Sequence, residues 1–196
     1  MEYMRLPIRV STTDITERGW SLHVSSESVE PIPGVSAPCV VHANGPVDTL
    51  PPHLASGIDE TDKGVALEVE ATFDEEQGRF LLRRLGVAAP VEGEVTGILL
   101  RQIAPLGLVR WLVPHTFTMT LESFGPYVAN FVTPDVQPAV EPGVSSKASL
   151  RDAAMIYRLA EVVREPPVKA VAESLGLQTR TATNWIVRAR KQGLLP

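Results

Sequence analysis

Apolar and polar residues alternate over residues 65–73: Val65, Leu67, Val69, Ala71 and Phe73 fall on one side, Ala66, Glu68, Glu70 and Thr72 on the other. A period of two is that of a half-buried strand. Residues 74–78, DEEQG, read as a turn and residues 79–85 as the returning strand, so a β-hairpin is predicted. Residues 6–10, 20–24 and 38–42 are further strand candidates. Residues 46–63, rich in Pro, Gly and Asp, read as loop.

The period then lengthens. Thr96 is placed to cap a helix through Ile98, Leu99, Leu100 and Ile103. Pro105 interrupts it, and Leu106, Leu108, Val109, Leu112 and Val113 predict a second helical stretch. Residues 97–113 are apolar around much of the circumference, more than a lone surface helix needs. Packing against the hairpin accounts for this best; a self-association surface is the sharper alternative. Residues 114–132, with Phe117, Phe124, Tyr127 and Phe131, read as a last strand or an irregular cover. The first 133 residues are thus expected to form an α+β domain.

Residues 134–149 hold three prolines, a glycine and three serines, and suit an extended linker. Past them the period is helical throughout. Ser149 reads as an N-cap, and Leu150, Ala153, Ala154, Tyr157, Ala160 and Val163 form one apolar stripe. Pro166 ends that helix and Pro167 suits the first position of the next. A short helix over residues 168–175 buries Val171, Ala172 and Leu175. Gly176 follows where the chain must turn sharply, and Leu177 plugs the turn. Thr179 is the expected cap of a helix over residues 180–192, closed by Gly193. That helix turns Ala182, Trp185, Ile186 and Ala189 inward and Arg180, Thr181, Thr183, Asn184, Arg188 and Lys191 outward.

Charge divides the chain at the same place. The net charge is −5, yet residues 147–196 carry nine basic and four acidic side chains and residues 1–146 nine basic and nineteen acidic. Segregation of this kind points to two modules with different partners. The basic module is the C-terminal one.

Its run KAVAESLGL followed by RTATNWIVRARKQGLL resembles a helix-turn-helix DNA-binding unit. Ala172 matches the small packing residue on the first helix of the pair, Gly176 the turn glycine, and Ala182 and Trp185 the inward positions of the recognition helix. Ala182 is smaller than the valine or isoleucine common there. The preceding helix would complete an all-α three-helix bundle over residues 150–196. The same run is similar to the C-terminal tails of actinobacterial, often mobile-element-linked, helix-turn-helix proteins. The resemblance covers about a quarter of the chain. It implies double-stranded DNA as partner, read in the major groove from the N-terminal part of the helix over 180–192. Gln178, Thr179, Arg180, Thr183 and Asn184 are the expected base-reading residues; Lys169, Thr181, Arg188, Arg190 and Lys191 are expected to meet phosphates. The physical reading agrees, since arginine suits guanine and asparagine or glutamine adenine. A bundle that binds protein, with merely solvated arginines, is the bland alternative. Trp185 belongs to the core by its phase.

Two functions use such a unit: a transcriptional regulator, or a mobile-element adaptor that recruits replication, partition or packaging machinery. In both, the acidic N-terminal domain would dimerise, sense or recruit, and the Pro-rich segment would hold it away from the phosphates. A homodimer through that domain fits two DNA half-sites. No catalytic constellation emerges. His23, His42, His53 and His115 are scattered without metal-ligand spacing, and Cys39 lies in an apolar run that predicts a buried structural thiol. The acidic clusters Asp59-Glu60-Thr61-Asp62 and Asp74-Glu75-Glu76 fall in turn-like sequence. Nucleotide-cradling glycine loops are missing, so neither enzymatic activity nor a cofactor or metal is expected. One cysteine excludes a disulfide framework. The N-terminus lacks an apolar signal core, and residues 97–114, the most apolar stretch, are cut by Arg101, Pro105 and Arg110. A soluble cytoplasmic protein without membrane contact is the expectation.

Overall fold

The structure, a computed structural model, describes residues 13–54, 57–58, 62–121, 125–128 and 147–196. The strand expected over residues 6–10 and most of the Pro-rich segment lie outside the described residues. The chain runs through α1 (Thr13–Glu17), β1 (Ser21–Val24), β2 (Ser28–Ile32), β3 (Val35–Pro38), β4 (Val40–Pro46), β5 (Ala66–Asp74) and β6 (Arg79–Ala88). It continues through α2 (Gly97–Gln102), α3 (Pro105–Leu112), β7 (Thr118–Leu121), β8 (Gly125–Val128), α4 (Lys147–Val162), α5 (Pro167–Ser174) and α6 (Thr179–Lys191). A sheet-rich region therefore precedes a helical C-terminal one.

Among the described residues two antiparallel four-stranded sheets form, in the orders β1-β4-β5-β6 and β2-β3-β7-β8. The β5–β6 hairpin is as the alternation predicts. Leu67, Val69 and Ala71 are buried while Ala66 and Glu68 are exposed. Its turn is closed by the Asp74 carboxylate, which accepts from the Gln77 amide at 2.9 Å. Arg83 is the extra residue of a bulge, since Glu70 pairs with Arg84 and Ala71 with Leu82. Both Arg83 and Arg84 consequently face solvent.

Trp20 stands just before β1 rather than within it. It is buried over β4, where Gly45 leaves room for the indole: a Cβ there would lie only 2.3 Å from a ring carbon. Its Nε1 donates to Thr49 Oγ1 at 3.0 Å, and its ring meets Trp111 edge-on at 5.2 Å. The strand expected over 38–42 is in fact a junction. β3 ends at Pro38, Cys39 lies between, and β4 begins at Val40 in the other sheet. Cys39 is only half-buried, not the buried thiol its apolar neighbours predict; it sits at the crossover between the sheets rather than within a strand.

Thr96 caps α2 by accepting from the Leu99 amide at 3.1 Å, and Pro105 opens α3. Leu99, Ile103, Leu108, Val109, Leu112 and Val113 enter the core, as the packing alternative requires; Ile98 and Leu100 remain exposed.

In the C-terminal region α4, α5 and α6 each pack on the other two. α4 begins at Lys147, so the expected Ser149 cap lies within the helix and the linker range ends earlier than residue 149. The stripe Leu150, Ala153, Ala154 and Ala160, joined by Ile156, faces α5 and α6. A second stripe, Leu159, Val162 and Val163, packs on Ile32, Val35, Phe80, Val109 and Phe117 of the sheet region. The helical region is therefore not held off by a spacer: α4 belongs to both cores.

Candidate nucleic-acid interface

α5 and α6 are joined by a turn whose geometry follows from one residue. Gly176 has φ +61°, a left-handed conformation that costs a residue with a Cβ about 1 kcal/mol or more. There its amide donates to the Glu173 carbonyl at 3.3 Å, and the Leu177 amide donates to the Ala172 carbonyl at 2.8 Å. These two bonds satisfy carbonyls that the end of α5 would otherwise leave open. Leu177 is drawn half-buried against the core of the three helices.

α6 then starts one residue earlier than expected. Gln178 occupies the N-cap position, extended at φ −65° and ψ 145°, and makes no side-chain cap bond. Thr179 is the first helical residue, not the cap; its carbonyl accepts from Thr183 Oγ1 at 2.9 Å. A threonine already in helical φ/ψ cannot bend its hydroxyl back to the next turn's amides, so α6 begins without a side-chain cap bond.

The two faces of α6 divide cleanly. Ala182, Trp185, Ile186 and Ala189 are at most 3 % exposed. Gln178, Thr179, Arg180, Thr183 and Asn184 are all exposed on the opposite side and share its N-terminal half; Thr181 is half-buried at the border. Val187 is 43 % exposed one turn beyond Thr183 and Asn184. The sequence reading overlooked it. The signal was its phase, which puts a valine among the polar outward positions.

The basic residues fall into two groups. Arg188, Arg190 and Lys191 occupy the last turn of α6, where they also complement the negative end of the helix dipole. Arg190 reaches back across the bundle: its Nη2 donates to the Tyr157 hydroxyl at 2.9 Å and its Nε to the Pro196 carbonyl at 3.3 Å. Its guanidinium also sits 5.3 Å from the Tyr157 ring centre. Arg190 thus ties α6 to α4 while remaining exposed. Lys169, on α5, pairs with Glu173 at 3.7 Å in an exposed i,i+4 contact. No acidic residue follows Glu173, so α6 and the tail carry only positive charge.

Two carboxyls of the helical region hold their protons unusually well. Burial raises Asp152, on α4, to about 6. Burial also raises Glu165, between α4 and α5, helped by Glu173 and opposed by Arg110 and Lys169.

The scattered candidates of the sheet region stay apart. His42 Nδ1 lies 3.7 Å from Glu70, and Asp74 pairs with Arg83 at 3.5 Å beside its turn. His115 and Asp62 are buried, while residues 59–61 of the first acidic cluster lie outside the described residues. Among the described residues no group of three or more His, Cys, Asp or Glu is arranged to hold a metal ion. No helix among them is long and apolar enough to cross a membrane.

Comparison of the chain with protein-family models, curated proteins and solved structures returned no match.

Proposed function

We propose that α5, its turn and α6 act as a helix-turn-helix and that the chain is a sequence-specific DNA-binding protein, a transcriptional regulator. The observation that carries this reading is the division of α6. Its buried face needs only Ala182, Trp185, Ile186 and Ala189, leaving Gln178, Thr179, Arg180, Thr183 and Asn184 together on an uncovered face. A surface helix with no further duty would have its acids and bases mixed; this one has no acid at all. Arg180 suits a bidentate contact to guanine, Gln178 and Asn184 suit adenine, and Val187 suits a thymine methyl group. Lys169, Thr181, Arg188, Arg190 and Lys191 flank that face and serve phosphates. Arg190 does so only by loosening its hold on Tyr157, so it ranks last among them.

A single module of this kind covers about 600–1,000 Å² of protein surface, which favours two copies on two half-sites. The sheet region is then the dimerising part. The full chain is the proper reagent, because a fragment from residue 147 would expose Leu159, Val162 and Val163. Selection from random duplexes at low salt, followed by sequencing, tests the proposal. A two-fold symmetric motif is expected. Retention of no duplex, or of duplexes without any shared motif, would refute sequence-specific reading.

A further inference from the structure

Val187 stands on the side of α6 directly opposite its core. At about 100° of turn per residue, the buried residues Ala182, Trp185, Ile186 and Ala189 centre on one line of the helix, and Val187 lies about 170° from it. Arg180, Thr183, Asn184 and Lys191 fall within about 60° of Val187 on the same outward side. Arg180, Thr183, Asn184 and Val187 thus form one row at spacings of three, four and seven residues. From Arg180 to Val187 the helix rises about 10 Å, the length of about three base-pair steps.

The rest of this row is polar or charged. Thr183, one turn before Val187, donates its hydroxyl to the Thr179 carbonyl at 2.9 Å, and Lys191, one turn after, is exposed. Among the described residues from 147 onward, Val187 is the one large apolar side chain left exposed, at 43 %. A lone exposed valine needs no explanation by itself. What sets this one apart is its place at the middle of the outward row, where a β-branched residue also weakens the helix relative to a straight-chain polar one.

Chemistry limits what a valine there can recognise. It has no donor and no acceptor, so it is blind to the hydrogen-bonding edges of the bases. The apolar group that a base edge offers in the major groove is the C5-methyl group of thymine. 5-Methylcytosine carries the same group at the same ring position, whereas cytosine and uracil carry hydrogen.

We propose that Val187 reads a pyrimidine C5-methyl group, so that the preferred duplex holds thymine or 5-methylcytosine against it, about three base pairs from the guanine met by Arg180. This inference rests on α6 being the recognition helix.

The test uses the full chain and the motif it selects from random duplexes. Each thymine of the motif is replaced in turn by uracil, which removes only the methyl group, and each cytosine by 5-methylcytosine, which adds only that group. Gel shifts then give the affinities. If thymine is the source, one uracil is expected to weaken binding about fourfold; if methylated cytosine is, one 5-methylcytosine should strengthen it about fourfold. Val187→Ala withdraws both Cγ methyl groups from an exposed position and favours the helix. It should melt like the parent, keep the motif and erase the methyl effect. Insensitivity at every position, a methyl effect that survives Val187→Ala, or a melt lowered by that change would each overturn the role of Val187 and leave DNA reading intact. A chain that selects no motif would overturn both.

Discussion

The guanidinium of Arg110, on α3, donates two hydrogen bonds to the backbone carbonyl of Arg164, 54 residues later. Arg164 is the only non-glycine with positive φ among the described residues, at +62°, and it ends α4. Its amide donates to the Glu161 carbonyl and the next amide, of Glu165, to the Ala160 carbonyl. That pattern is the one formed by Gly176 after α5 and repeated by Gly193 after α6. Three helices stop in the same way, two on glycine and one on an arginine. The exceptional one is where the sheet region grips the helical region.

Removing that grip should cost stability. Arg110→Ala leaves a partly buried carbonyl without its charged donors and is expected to destabilise the full chain by about 1.5–3 kcal/mol in urea denaturation. Arg110→Lys should recover only part of this, because an ammonium cannot reproduce the fork. A loss under about 0.5 kcal/mol would mean that the apolar contacts of α4 hold the seam unaided.

Arg164→Gly should act in the opposite direction. It keeps the carbonyl that Arg110 binds and relieves the left-handed strain on a residue with a Cβ, so a gain of up to about 1 kcal/mol is expected. A thermal melt that shows a loss instead would reveal that the Arg164 side chain makes a contact worth more than the strain.

Trp185→Ala should cost about 3–5 kcal/mol, the usual penalty for truncating a large core aromatic. Far-UV circular dichroism on heating measures it. Retention of the wild-type melt would contradict the 3 % exposure of this side chain.

The exposed face of α6 separates two kinds of binding loss. Arg180→Ala and Asn184→Ala should weaken the selected duplex by about 1–3 kcal/mol and random DNA far less. Arg188→Ala should weaken both alike and lower the salt dependence by about one unit of slope. Gel shifts on the two duplexes across salt concentrations distinguish these outcomes. Equal losses for Asn184→Ala on both would remove it from base reading.

Asp152 makes stability depend on pH with a definite sign. Its carboxyl has a pKa of about 6 in the folded chain against 3.8 for the free group. The folded state therefore holds the proton more tightly, and stability falls as pH rises from about 4 to about 6. Above that window the penalty is complete. Asp152→Asn should be more stable than the parent at pH 7 by about 1 kcal/mol, a value reduced for partial solvent screening. The two should converge near pH 4. Denaturation at both pH values checks this, and a constant difference would assign the gain to something other than the charge.

Much of the fold is decided locally. The hairpin of β5 and β6 is legible because five alternating apolar positions have only one pairing face. The two faces of α6 are legible because Ala182, Trp185, Ile186 and Ala189 repeat at the helical period. Gly176 is legible because few other residues tolerate its φ. Helix starts were less so: Gln178 and Thr179 differ by one residue as the start of α6, and neither closes it with a side-chain cap bond.

Other features depend on partners far along the chain. β2 and β3 are short, and Pro31, Gly34 and Pro38 mask their alternation, so their pairing rests on contact with each other and with β7. The second stripe of α4 has the same period as the first. Nothing within residues 147–163 says that Phe80, Val109 and Phe117 will cover it. Arg164 carries no local mark of a left-handed residue; its conformation is stabilised by the helix-ending bonds and by Arg110. Periodicity and turn chemistry act within a few residues, so the sequence alone determines the β5–β6 hairpin, the three C-terminal helices and which face of α6 is apolar. Only tertiary packing decides that α4 joins two cores and that Arg110 meets Arg164.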